Sequence, residues 1–252
     1  LNEFIGIIRN TAQCAFSNFE WNRIMGALMY PWNFAEILKS KKRLLSQARE
    51  AETDAPLIIQ LVGGYTTHDL ADWLKIFNFK SGLKCNVILS EWGGTQRLCL
   101  SPNQIKEDTS LYILMANWQD LFSREIFDQS IINEDELVAI LIGFWEKAAA
   151  KGQNIIQCLY SHPHRFSMFN SNATDLYQLT NGINAKLISA SQAFSNVLIN
   201  HTDIASSIYG SLQWYDDRNW HAYGQPLSLE GTLALSHQLS VAVRSLYGQP
   251  KK

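Results

Sequence analysis

Short apolar runs, each followed by a polar turn and then a helical stretch, recur along the sequence and leave few architectures open. Leu57-Ile58-Ile59-Gln60-Leu61-Val62 is one such run, halted by Gly63-Gly64. Cys85–Leu89, Leu111–Ala116, Asn154–Tyr160 and Asn196–Ile199 are the others. Runs this short and this continuously apolar read as strands buried on both faces of a parallel sheet. Thr66-Thr67-His68-Asp69-Leu70 opens a helix with a Thr cap and Asp69 in its first turn, and Leu70, Leu74 and Phe77 continue its apolar face. Further helical patterns cover 117–128, 133–151, 171–193 and 227–247. Asn133 with Glu136 forms a capping box, and Ser228 after Pro226 caps the last helix. The order predicts an α/β fold of three layers, with a five-stranded parallel sheet between helices and right-handed crossovers.

Residues 1–50 read as an N-terminal helical segment, preceding an α/β domain over 51–252 with which they form one compact unit. Phe4, Ile7, Ile8 and Cys14 make one apolar stripe, and Ile24, Leu28 and Met29 a second. Pro31 fits the first turn of a helix running through Ile37, Leu38, Leu44 and Leu45. Its far face carries Lys39, Lys41, Lys42 and Arg43. That face is either solvated or a docking patch for an acidic partner. There is no internal repeat and no Gly/Ser linker, and Gly248–Lys252 reads as the start of one.

Charge excludes one class of function. Lys plus Arg number 21 and Asp plus Glu 23 in 252 residues, for a net charge of −2. No basic excess exists to neutralise a nucleic-acid backbone. The four cysteines at 14, 85, 99 and 158 lack the spacing of a zinc or redox motif. Cys85 and Cys158 sit in strand-like runs and are expected to be buried free thiols, which suits a reducing, cytoplasmic setting. No apolar run approaches the roughly 20 residues that cross a bilayer, and the N-terminus has no basic flank of a signal peptide. His162 and His164 lack a third metal ligand, so no metal is expected.

Open parallel sheets bind ligands beyond the carboxyl ends of their strands. Gly63-Gly64-Tyr65-Thr66-Thr67 follows the first strand, Ser90-Glu91-Trp92-Gly93-Gly94 the second, and Asn117-Trp118-Gln119-Asp120 the third. Ser161-His162-Pro163-His164-Arg165 follows the fourth, and Asn200 and His201 the fifth. A late loop, Trp214-Tyr215-Asp216-Asp217-Arg218-Asn219-Trp220-His221, completes the set. The strand–Gly-Gly–helix element would present backbone N–H groups to an anion or oxyanion. It lacks the lysine of a phosphate loop and the third glycine of a dinucleotide site.

These pieces resemble the blocks of SGNH hydrolases, in their order. Gly64 takes the place of the family's first-block Asp and Tyr65 that of its nucleophilic Ser. Gly94 or Gly93 matches the second-block glycine and Asn117 the third-block asparagine. Asp217 and His221 resemble the late Asp-x-x-His block, with three intervening residues instead of two. A tyrosine, with a pKa of about 10, makes a poor acyl acceptor.

A longer resemblance is carried by Pro31-Trp32-Asn33, Lys39–Arg43, Val62–Leu70, Ser90-Glu91-Trp92, Asn117–Leu121, Trp214–His221 and Gln225-Pro226-Leu227-Ser228. Together these look like the N-terminal, SGNH-like (flavodoxin-like) region of FkbH-like proteins of polyketide biosynthesis. The resemblance implies a haloacid-dehalogenase-type domain with an Mg²⁺-binding Asp-x-Asp strand beyond the Pro-Leu-Ser helix. It also implies glyceryl loading onto the phosphopantetheine arm of an acyl carrier protein. No Asp-x-Asp follows a strand in these 252 residues, so phosphoryl chemistry is expected outside them.

Each candidate carries two or more readings. Tyr65 is a modified nucleophile, a ligand contact or a packing residue. His221 is a base oriented by Asp217 or a structural histidine. Asn117 is an oxyanion donor or a turn stabiliser. Trp92, Trp118, Trp214 and Trp220 frame an acyl slot or belong to the core. The expected substrate-binding set is Gly63, Gly64, Tyr65, Thr66, Gly94, Trp118 and Trp220, with Asp217, His221 and Asn117 as catalytic candidates. The leading expectation is a degenerate SGNH-like domain that recognises an acyl group or its carrier protein beside a dehalogenase-type or polyketide synthase domain. It needs no cofactor of its own. The alternative is an active acyltransferase or esterase using Asp217–His221 with another nucleophile, such as Ser90 or Thr66, or with water. A spacer joining modules is the third reading.

Overall fold

A computed structural model of the chain describes residues 28, 32–50, 57–90, 105–117, 134–161 and 171–248, with 171–176 as backbone alone. The strands are β1 (Leu57–Val62), β2 (Cys85–Leu89), β3 (Leu111–Leu114), β4 (Asn154–Cys158) and β5 (Val197–Asn200). They form one sheet in the order β2-β1-β3-β4-β5, every neighbour parallel. The α/β reading is therefore correct, and all five strand positions are close to those expected. β3 is fully buried along its length and β4 nearly so, as strands covered on both faces must be. The edge strands β2 and β5 are less buried.

The helices are α1 (Phe34–Glu50), α2 (His68–Lys80), α3 (Glu134–Ala150), α4 (Ser171–Ser191), α5 (Thr202–Tyr209), α6 (Ser211–Trp214), α7 (Asp217–Tyr223) and α8 (Leu229–Tyr247). α2 and α8 pack together on one side of the sheet, with α1 outside α2, while α3 pairs with α4. Tyr112 of β3 meets Phe144 of α3 edge to face at 5.2 Å. Trp145 Nε1 donates to Gln157 Oε1 of β4 at 3.3 Å, so that buried amide accepts a bond from the covering helix. On the other side Ser236 Oγ of α8 donates to the Leu70 carbonyl of α2 at 3.2 Å.

α8 spans the sheet from edge to edge. Ser228 caps it as expected, its Oγ accepting from Gly231 N at 2.9 Å. At the far end Tyr247 OH donates to the Ser110 carbonyl at 2.8 Å and accepts from Asn154 Nδ2 at 2.7 Å. The helix start is thereby fixed at the carboxyl edge of the sheet and its end at the amino edge.

Three local expectations are corrected. Thr67 occupies the cap position of α2 but its side chain makes no capping hydrogen bond; it is buried against Gly63 instead. Leu38 is 51% exposed, because α1 buries Ile37, Ser40, Leu44 and Ala48, a stripe that leaves Leu38 on its rim. Lys41 is not part of a free basic face: its Nζ lies 2.7 Å from Asp69 and 3.4 Å from Asp72 of α2, and 5.4 Å from the Trp73 ring centroid. Lys39 and Lys42 remain exposed.

α3 opens with Glu134, Asp135 and Glu136, which complement its N-terminal dipole. Its expected cap, Asn133, lies outside the described residues, as do the 117–128 helix beyond Asn117 and the two apolar stripes before residue 28. Cys85 and Cys158 are free and buried, as expected. Among the described residues no helix is long and apolar enough to cross a membrane.

Candidate functional site

The strand order places a topological switch between β1 and β3, whose crossovers leave on opposite sides of the sheet. In open parallel sheets the carboxyl ends at such a switch are where ligand crevices form, and Gly63, Ser90 and Asn117 lie at this one. The ladders continue just past the strands: Ser90 N donates to Leu61 O at 3.0 Å and Met115 N to Val62 O at 2.7 Å. Gly63 is required by proximity. A Cβ there would sit 3.2 Å from Thr67 Cγ2 and 3.4 Å from Met115 Cβ. Neither Gly63 nor Gly64 is among the glycines with positive φ, so the expected tight glycine turn is a close approach of β1, β3 and α2 instead.

Tyr65 is 6% exposed and belongs to the hydrophobic core. Thr66 ties the loop to the late block. Its backbone N–H donates to Gly224 O at 2.9 Å and its Oγ1 to Tyr223 O at 2.7 Å. The first and last sequence blocks, separated by 157 residues, thus meet at the C-terminus of α7. Gly224 ends that helix with φ 62, the left-handed conformation that glycine adopts without strain.

The late block is held by a clamp that the sequence did not reveal. Tyr215 and Leu227 form an antiparallel bridge, and Asp216 N donates to Pro226 O at 3.0 Å. α7 is the excursion between the two arms. Tyr215 OH also shares a hydrogen bond with Ser161 Oγ beyond β4, both groups buried. Asp216, not Asp217, caps α7, accepting from Arg218 N at 3.0 Å and Asn219 N at 3.4 Å. Desolvation acts to raise the Asp216 pKa, but those N–H groups and the Arg218 guanidinium together hold it below the usual range.

Asp217 and His221 stand four residues apart on α7, yet no hydrogen bond or ion pair joins them, and His221 is exposed. Asp217 lines an open cleft of about 550 Å³ with Phe34, Tyr215, Arg218, Ser228 and Glu230. Trp220 packs partly buried against the core. Trp214 is fully buried, so it is core and not part of a slot. Gly94, Trp92, Trp118, His162 and His164 lie outside the described residues.

Two polar side chains flank the Gly63 loop. Asn117, three residues beyond β3, is 3% exposed and its Nδ2 has no hydrogen-bond partner among the described residues. Ser90, directly after β2, has a buried Oγ that likewise has none among them. Leaving a buried donor unpaired costs about 1–3 kcal/mol, so such groups are seldom kept without a use.

No protein-family model matches the chain, and no curated protein matches it at a significant level. Solved structures do. The N-terminal part of the Bacteroides fragilis protein BF1531, containing a phosphatase domain and complexed with Mg, superposes with a TM-score of 0.67 at 19% identity, over 84% of this chain. This chain spans 58% of that one. A putative GDSL-like lipase from Parabacteroides merdae gives 0.54 at 10% identity, over 75% of this chain and 97% of its own. A catalytic mutant of Axe2, an acetylxylan esterase from Geobacillus stearothermophilus, gives 0.53 at 10% identity over 75% and 94%. The fold is that of the SGNH/GDSL hydrolases. Identities this low carry the fold and nothing finer. On this SGNH-like frame, Thr66 of the first loop is bonded to Tyr223 and Gly224 of the late block, Tyr65 is core, and His221 is exposed without a bond to Asp217.

Proposed function

We propose that this chain is a degenerate SGNH-like domain of an FkbH-like protein. In this reading it recognises an acyl group presented on the phosphopantetheine arm of an acyl carrier protein and supports glyceryl or acyl loading carried out by a neighbouring dehalogenase-type or polyketide synthase domain. The observation that carries the reading is the pairing of a lost nucleophile with a retained donor. Tyr65 is packed in the core at the position aligned with the family's serine, while Asn117 Nδ2, buried beyond β3, has no partner among the described residues. A nucleophile works only when a base is in hydrogen-bond reach and is itself oriented. His221, exposed and not bonded to Asp217, is not an oriented base. A carbonyl oxygen seated at the crevice would satisfy the Asn117 amide without any bond being broken.

The domain would therefore bind acyl-carrier protein without turnover. Asn117→Ala is expected to weaken acyl-carrier binding about tenfold, the value of one hydrogen bond at a buried site, and His221→Ala to leave it unchanged. Binding measured by calorimetry with acyl-loaded and unloaded carrier checks both. Equal affinity for the two carrier forms would contradict acyl recognition. The second reading, an active acyltransferase or esterase, is favoured by the unpaired Ser90 hydroxyl beside the crevice. It predicts a loss of turnover of about 10² or more in His221→Ala.

A further inference from the structure

The seam between α2 and α8 carries Lys80, His237 and Arg244, none of which forms an ion pair among the described residues. Phe77 and Lys80 share one face of α2, being three residues apart, and His237 and Arg244 share one face of α8, two turns apart. The two faces meet where the His237 ring packs edge-on against Phe77 at 5.3 Å. The sequence is one-sided there. Residues 73–84 hold Lys75, Lys80 and Lys84 with no acid, and residues 231–248 hold His237 and Arg244 with no acid. The acids of these two helices are engaged elsewhere. Asp69 and Asp72 face α1, bound to Lys41 and Arg49, and Glu230 lies in the cleft with Asp217 and Arg218 at the opposite end of α8. Neither Lys80 nor Arg244 forms an ion pair among the described residues, and Arg244 Nε is buried without an acceptor.

Helix termini do not account for the cluster. Both cations stand in last turns, where one cation answers the dipole. The terminal carbonyls are already used: Phe77, Asn78 and Phe79 accept from Ser81, Gly82 and Leu83, and Arg244 O accepts from Gly248 N. We propose that Lys80, His237 and Arg244 form a binding site for a phosphate-class oxyanion. The Arg244 guanidinium supplies directional donors through its terminal nitrogens, and Lys80 supplies a point charge. The electrostatics agree. Burial and then Arg244 lower the Lys80 pKa, and burial, then Lys80 and Arg244, lower that of His237. A bound dianion would relieve this mutual repulsion. The site lies along the seam toward the amino edge of the sheet, away from the Gly63 crevice, so it stands independently of the acyl reading.

The test uses the whole chain at constant ionic strength, with chloride replaced stepwise by inorganic phosphate and, in a second arm, by methyl phosphate. The melting temperature and the His237 imidazole proton resonance are followed. Saturable stabilisation and an upward shift of the His237 titration midpoint are expected. Each should be lost in Lys80→Gln/Arg244→Gln, with affinity at least about tenfold weaker for each cation removed. The double variant removes like-charge repulsion and should fold at least as stably as the parent in chloride. Equal responses to the two anions assign the site to the phosphoryl group itself, and a stronger response to methyl phosphate assigns it to a phosphomonoester. No difference between either anion and chloride, or an unchanged response in the double variant, would overturn the proposal.

Discussion

Asn117 and Tyr65 show how much of a site can turn on which side chains are satisfied. Tyr65 is core and stabilises by burial; Asn117 is equally buried and has an unpaired amide. If that amide is kept for a ligand, replacing it with an apolar group of similar shape relieves the desolvation cost. Asn117→Leu is therefore expected to leave stability unchanged or raise it by about 1 kcal/mol while abolishing acyl recognition, a pairing that denaturation and calorimetry together can read. Gly231 makes the opposite case. A Cβ there would collide with the Trp214 carbonyl oxygen, which packs against the first turn of α8. Gly231→Ala should cost about 1–3 kcal/mol as overpacking, visible as a lower urea midpoint at unchanged slope. Thr66 is the residue-scale link between the two sequence blocks. Thr66→Val removes the bond to Tyr223 O and should loosen α7, raising hydrogen exchange at Trp220 and Gly224 while the strand amides stay protected.

At the scale of elements, Lys41 holds α1 onto α2 through two carboxylates and the Trp73 ring. The site is half-buried, so Lys41→Met is expected to cost about 1 kcal/mol after solvent screening. Charge reversal at the exposed Lys39 or Lys42 should cost nothing measurable. The strands were legible because each is a run apolar on both faces, a pattern only a covered parallel sheet uses. The α8 cap was legible from Ser228 after Pro226. The segment 202–223 was not. α5, α6 and α7 are too short for helical periodicity to stand out, and they are divided by Gly210 at φ 84 and by the Asp216 cap. The Tyr215–Leu227 bridge is a contact between backbones, which no side-chain pattern announces. Asp217 and His221 are an acid–base candidate by their resemblance to a late Asp-x-x-His block with one more residue between, and α7 sets the two one helical turn apart. The turn places them on one face without bringing the groups into contact.

At the scale of the whole molecule the two ends of one sheet differ: the carboxyl edge is built from distant sequence blocks, and a cationic seam lies toward the other end. The seam has a pH signature. The His237 pKa is lowered from 6.5 by burial and by Lys80 and Arg244, so the unfolded chain takes up the proton first as pH falls. Stability contributed by this group is present above about pH 6.5, declines below it, and levels off once the folded state is protonated as well. The difference in melting temperature between the parent and His237→Gln should follow that course between pH 7 and 5, and a flat difference would contradict it.

The central claim, a recognition domain whose nucleophile has been replaced by core, is tested most directly by intact-mass spectrometry with acetyl- and glyceryl-loaded carrier proteins, wild type beside His221→Ala. Both chains are expected to form a complex with the loaded carrier, the acyl group to stay on it, and no adduct to appear on either chain. Loss of the acyl group, or its transfer to this chain, seen in the wild type and abolished by His221→Ala, would contradict the account and make the domain an enzyme.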